Sequence, residues 1–396
     1  MRRLINKSFV LVLLLIVLTV QGQGQIDSDF QFGKGINFKS TEGDFEMKLQ
    51  MRFQTLFTAD FPTDDFNSIE TNALIRRSRL KLSGKATDRL KFKLEYGLSN
   101  RDFSSEIPES GNQANMILDA VLKYKLTNSL SLWFGQTKLP SNRERVISSQ
   151  NMQLVDRSLL NKYFTLDRDI GFQLRNEHTL GNVILREYFA LSQGEGRNIT
   201  AGNFGGYDYT FHAEILPFGD FSKKGDFLGS SVNFVKGESN DDDGKLSLGF
   251  TYSYNNNTTR SGGQLGKFIL DTMGNYAMAN MQTTIFDAIY KYKRFSFMNE
   301  TAWRRSDAQD EYYNDLFVEG WSYNNMVGVM LNSKSEVSFR HTHVNANQTG
   351  VVDMYTLGFS RYVLKHALKF QTDCSITSNE SGENALLFRF QTEVAF

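Results

Sequence analysis

The chain has 396 residues, 40% of them hydrophobic and 13% aromatic, and its 44 basic residues balance 44 acidic ones. Zero net charge excludes the concentrated basic footprint of a nucleic-acid binder, and the aromatic load excludes a disordered polymer. The single cysteine, Cys374, has no disulfide partner and cannot build a cysteine-ligated zinc cluster.

At the N-terminus, Arg2, Arg3 and Lys7 precede an apolar run over residues 9–20, with Gly22 and Gly24 as a small-residue exit. This pattern reads as a secretory signal peptide over residues 1–24. About 12 apolar residues are too few for a helical membrane span, which needs about 20. Residues 25–42 are then an N-terminal periplasmic segment, and no later stretch is apolar enough to cross a bilayer as a helix.

Beyond residue 43 the dominant signal is a period of two. Phe45, Met47, Leu49, Met51 and Phe53 alternate with Glu46, Lys48, Gln50, Arg52 and Gln54. The same period recurs at Phe92, Leu94 and Tyr96, at Leu246, Leu248, Phe250 and Tyr252, and at Leu368, Phe370 and Ile376. A soluble sandwich also alternates. These segments, however, run to about 10 to 12 residues, the length of a tilted transmembrane strand rather than of a soluble one. Tight turns also alternate with long polar loops, and Phe388, Phe390, Thr392 and Val394 form one face of a last strand that ends on Phe396. A terminal aromatic of this kind resembles the assembly signal of bacterial outer-membrane barrels.

The fold expected is therefore all-β: a transmembrane antiparallel β-barrel over residues 43–396. Counting yields about seventeen alternating segments, whereas bacterial single-chain barrels carry an even number. Treating residues 228–236 as a membrane strand would place every later long loop on the periplasmic side. Without it there are sixteen strands. Tight turns then fall at 86–88, 127–128, 180–182, 294, 332–333 and 364–365, with 217–244 as a large periplasmic connection.

Several stretches resemble the phosphate-selective porin O and P family: IRRSRLKLSG at 75–84, LKFKLEYGLSNRD at 90–102, LDAVLKY at 118–124, and the run from Phe134 to Leu174 that contains KLPSNRERVISSQN. The resemblance implies a sixteen-stranded Gram-negative outer-membrane barrel, usually a homotrimer embedded in outer-membrane lipids, that conducts small anions such as phosphate by passive diffusion. Its third loop, residues 141–167, would fold into the lumen as a constriction. By motif position the constriction donors carry over to Arg52, Arg77, Arg145, Ser148, Ser149 and Arg157. Arg143 in the loop and Arg79 and Lys81 on the wall are further candidates, since guanidinium forks and hydroxyls suit an oxyanion. Phosphate-selecting members are lysine-rich here, whereas Arg145 stands at the loop's lysine position and Gln150 replaces another basic residue.

The plainer reading is a general, non-selective porin in which these arginines face Glu46, Glu95, Asp119, Glu144 and Asp287. An outer-membrane barrel hydrolase would need a nucleophile motif. None of His178, His212, His341, His343 and His366 belongs to one, so neither catalysis, a metal nor a cofactor is expected. Trp133 reads as part of an interfacial aromatic girdle.

Overall fold

The computed structural model describes residues 26–41, 43, 45–62, 69–103, 115–200, 206–234, 243–380, 382 and 384–396. The signal peptide expected over 1–24, and residues 235–242 of the large connection, lie outside them.

Two short strands, β1 (Ile26–Gln31) and β2 (Gly35–Ser40), form a hairpin ahead of the barrel. The barrel then runs through β3 (Glu46–Pro62), β4 (Glu70–Lys85), β5 (Leu90–Gly97), β6 (Ile117–Lys125), β7 (Leu130–Lys138), β8 (Arg168–Leu180), β9 (Val183–Ser192) and β10 (Asp208–Leu216). It continues through β11 (Lys245–Thr258), β12 (Ala279–Tyr292), β13 (Phe295–Ala308), β14 (Gly320–Asn332), β15 (Ser335–Ala346), β16 (Gly350–His366), β17 (Leu368–Asn379) and β18 (Asn384–Ala395). Each strand pairs antiparallel with the next, and β18 pairs back onto β3 from Ala385↔Pro62 to Ala395↔Arg52. Among the described residues this is a closed barrel of sixteen strands, which leaves no barrel-wall edge unpaired. Leu228–Phe234, the described part of the 228–236 segment set aside as a seventeenth strand, forms none.

The alternation sorts as the period of two requires. Leu248, Phe286, Trp303, Phe339, Leu357, Phe370 and Ile376 are exposed on the outer face, while Ser247, Thr251, Asp287, Arg340, Lys369 and Asp373 are buried on the inner one. Apolar side chains thus point at lipid and polar ones at the lumen. Strand length varies round the wall: β3 and β16 have 17 residues, but β5 to β7 have only 8 or 9. At about 3.3 Å per residue, the latter reach only about 26 to 30 Å before any tilt, at or short of a hydrocarbon core about 30 Å thick.

One irregularity matters for function. Gln54 pairs with Arg77 and Thr55 with Ile75, so Arg76 is an extra, bulged residue of β4. A bulge breaks the alternation locally, and here it turns two consecutive arginines to the same side.

Candidate functional site

The segment between β7 and β8, residues 139–167, is held against the opposite wall rather than projecting from the rim. Its short helix Arg143–Val146 has Lys138 Nζ donating to the carbonyl oxygens of Arg145 (2.7 Å) and Val146 (3.3 Å), a cation where a helix C-terminus is electronegative. Arg143 is buried and pairs with Glu214 of β10 and Asp287 of β12 (3.1 Å). The Glu144 amide donates to Glu300 Oε1 at 2.6 Å. Arg340 Nη1 donates to the Asp156 carbonyl at 2.8 Å, and the Val155 amide to Asp373 Oδ2 at 2.9 Å.

Apolar contacts supplement these bonds. Leu160 and Phe164 pack against Ile285, Ala302 and Val344, while Ile147, Met152 and Leu154 meet Met298 and Met326. A Cβ added at Gly358 would strike Leu154, and one at Gly328 would strike the Gln153 side chain, so both glycines are seats for the segment. Backbone bonds from Gln153 reinforce this: its carbonyl accepts from Ser360 Oγ and Gln371 Nε2, both at 2.7 Å.

A second segment fills the lumen from the end that carries the tight turns. Lys291 Nζ, on the inner face of β12, donates to the carbonyls of Gly225 (2.8 Å), Leu228 (2.9 Å) and Ser230 (2.6 Å). Val232 packs on Met330 and Tyr362, and the Gly229 amide donates to Asn151 O at 2.9 Å, which ties this connection to the 139–167 segment.

What stays open is a cavity of about 810 Å³ along β3 to β8. Its lining contains fifteen basic side chains and five acidic ones among the described residues. Arg52, Arg77, Arg145, Ser148, Ser149 and Arg157 all border it. Arg52 Nη2 donates to Ser149 Oγ at 2.8 Å and Nη1 pairs with Glu393 at 3.2 Å. Arg77 donates to Gln54 Oε1 (2.8 Å) and Asp156 Oδ1 (3.1 Å). Arg145 pairs with Asp167, and Ser148 Oγ accepts from the Gln150 amide at 3.4 Å. Arg157 spends its donors on loop carbonyls, Glu144 O at 3.0 Å and Ile147 O at 2.9 Å.

Three readings of the sequence change here. Arg143, a candidate donor, is an anchor buried in the wall, paired with Glu214 and Asp287 and outside the cavity lining. Trp133 faces the lumen, not the girdle: Lys123 Nζ lies 3.6 Å and the Arg175 guanidinium 4.0 Å from its ring centroid. Arg76 was missed because strict alternation turns it outward; the doublet Arg76-Arg77 within an alternating strand was the available signal. Lys93, Lys138, Arg168 and Arg389 also line the cavity.

His341 Nε2 and His343 Nδ1 both meet Asp353 Oδ1, at 2.8 and 3.1 Å, on the outer face among Trp321, Tyr323 and Tyr355. No group of three or more metal-ligating side chains occurs among the described residues.

A closed sixteen-stranded barrel with an apolar exterior and a charged internal conduit defines an outer-membrane porin, and comparisons specify which kind. The family of phosphate-selective porins O and P matches residues 45–326, and the chain belongs to that family. Among solved structures, the anion-selective porin from Comamonas acidovorans superposes with a TM-score of 0.55 at 12% identity, covering 89% of this chain and 100% of that one. A loop-deletion form of OmpT, an outer membrane protein of Vibrio cholerae, gives 0.53 at 10% identity over 88% and 99%. The outer membrane channel DcaP of Acinetobacter baumannii gives 0.52 at 12% over 92% and 100%. No curated protein matches the sequence. The protein is a porin of a Gram-negative outer membrane, a channel for small hydrophilic solutes.

Proposed function

We propose that this porin prefers anions. The observation that carries the reading is the imbalance of the conduit lining, fifteen cations against five carboxylates. Most of the carboxylates are already engaged: Asp119 with Lys93 (2.8 Å) and Arg168 (3.3 Å), Asp102 with Arg79 (2.6 Å), and Asp167 with Arg145. Lys81, Lys123, Arg157 and Arg175 make no ion pair among the described residues. A narrow passage with low-dielectric walls amplifies such a surplus, which lowers the barrier for anions and raises it for cations.

In this reading the 141–167 loop is the constriction, and Arg52, Arg77, Arg145, Ser148, Ser149 and Arg157 form its positively charged rim. The tight-turn end faces the periplasm, the 217–244 connection and the β1–β2 hairpin lie there, and residues 1–24 are removed on export. The short strands β5 to β7 are the wall along which protomers of a homotrimer meet, since a strand of 8 or 9 residues is shielded best by protein. Phosphate is one candidate solute. Arg145 and Gln150 in place of lysines argue for a broader oxyanion range than a dedicated phosphate channel would have.

The test is planar-bilayer conductance with reversal potentials in a salt gradient. An anion-selective reversal potential supports the reading, and a cation-selective one refutes it in favour of a general porin whose arginines serve a transverse field.

A further inference from the structure

The most exposed acidic side chain lining the conduit is Asp156, and its surroundings are those of a bound anion. Arg76 Nη2 donates to Asp156 Oδ1 at 3.0 Å and Oδ2 at 3.1 Å, and Arg77 Nη2 donates to Oδ1 at 3.1 Å. The β4 bulge makes this possible, because without it only one of two adjacent arginines would reach the lumen. Arg389, itself paired with Asp373 at 2.6 Å, adds a third positive charge to the surroundings of the group. Burial alone would raise the Asp156 carboxyl, but Arg77, Arg76 and Arg389 hold it well below the usual carboxylate range.

The backbone on either side is fixed, and the side chain is open to the conduit. The Val155 amide is bound to Asp373 and the Asp156 carbonyl to Arg340. The Asp156 side chain keeps 22% of its surface exposed to the conduit and that of Arg76 keeps 24%. Both partners of the contact are therefore reachable from the conduit by a competing anion.

We propose that Asp156 is a specificity-determining residue that acts as a built-in competitor: its carboxylate occupies the Arg76-Arg77 fork, and a permeating oxyanion passes by exchanging with it. This rests on the anion-preferring reading above. The competitor sets a threshold. A solute with two oxygens suitably spaced, such as phosphate, sulfate or a carboxylate, replaces the bidentate contact in kind. Chloride offers a single centre and cannot reproduce it, so it is discriminated against while Asp156 is in place.

The experiment measures chloride conductance in planar bilayers and its block by added inorganic phosphate, in wild type, Asp156→Asn and Arg76→Lys. Asp156→Asn removes the competing charge, so it should raise chloride conductance and lower the half-blocking phosphate concentration by about tenfold, the scale of one charge-assisted hydrogen bond. Arg76→Lys keeps an ion pair with Asp156, and hence the loop's attachment, but loses the fork. It should raise the half-blocking concentration by a similar factor. Heat-modifiable gel mobility identifies variants that have assembled. An assembled Asp156→Asn with unchanged block, or an Arg76→Lys that retains wild-type block, overturns the proposal, and the second variant decides if the first does not assemble. A cation-selective wild type would instead sink the anion reading itself, so the two failures are distinguishable.

Discussion

The ring of Phe32, in the turn of the N-terminal hairpin, meets that of Phe396 edge-on, with centroids 5.7 Å apart and planes at 80°. Phe396 also lies 6.3 Å from Phe53, and its amide donates to Met51 O at 2.8 Å. Just beyond this point β2 takes over the edge of β3, pairing Ile36 with Leu49 through Lys39 with Glu46. The hairpin therefore continues the ladder that β18 leaves unfinished and covers the last aromatic ring.

That arrangement makes Phe396 sensitive. Deleting it, or replacing it with Asp, should block membrane assembly, because β18 loses the ring that secures its end against Phe53 and Phe32. Heat-modifiable barrel in the outer membrane is the readout, and normal levels would refute the assignment. Phe32→Ala removes only the covering contact, at a cost of about 0.5–1.5 kcal/mol beyond lost area. It should leave assembly intact and lower the temperature at which the barrel unfolds on gels.

The charged rim gives a second expectation. Replacing Arg77 and Arg145 together with Glu should move the reversal potential toward cation selectivity. Unit charges about 4 Å apart interact by about 4 kcal/mol at an effective dielectric of 20, and a permeating ion feels a screened fraction of that. The shift should be larger at low salt, where the Debye length is greater. Unchanged selectivity in the double variant counts against these residues as the source of the field.

Docking of the loop depends on the absence of a side chain at Gly358. Gly358→Val places atoms where Leu154 sits, and overpacking of this kind costs about 1–3 kcal/mol. The loop should loosen from β16 and β17 while the barrel, whose ladder is unaffected, still assembles. Single-channel conductance should rise, and loop residues near Leu154 should become accessible to protease.

At the opposite end, the connection after β9 docks on the one after β11. Glu195 Oε1 accepts from the Thr259 amide at 2.9 Å, and Arg260 Nη1 donates to the Glu195 carbonyl at 2.6 Å. Burial pushes the Glu195 carboxyl up to about 7, and its second oxygen has no hydrogen-bond partner among the described residues. A raised folded value means the protonated form is favoured in the docked state. The contact is therefore strongest below the ordinary value of 4.5, weakens as pH rises above it, and is lost as pH passes through about 7. Hydrogen exchange at Thr259, corrected for intrinsic rates, should show greater protection at pH 5 than at pH 8. Glu195→Gln should remove that difference, and a pH-dependent Gln variant would show that another group is responsible.

The barrel itself was legible in the sequence because a membrane strand reports its two environments residue by residue. Lipid on one side and polar lumen on the other impose the alternation seen at Leu246–Tyr252 and Leu368–Ile376, and an even strand count with loops on consistent sides removed Leu228–Phe234. Motif position likewise brought Arg52, Arg77, Arg145, Ser148, Ser149 and Arg157 to one conduit. Tertiary structure alone decided which of the lumen's charges are available. Arg143 has the same local sequence character as Arg145, yet one is buried against Glu214 and Asp287 while the other borders the cavity. Periodicity also could not place Arg76, whose direction depends on a register shift against β3, or Trp133, whose inward side follows from the pairing of β6, β7 and β8. The reason is physical: alternation encodes the face a side chain takes, whereas its partner is set by elements more than a hundred residues away that meet it only when the barrel closes, as Asn142 meets Glu300 and Gln153 meets Glu336.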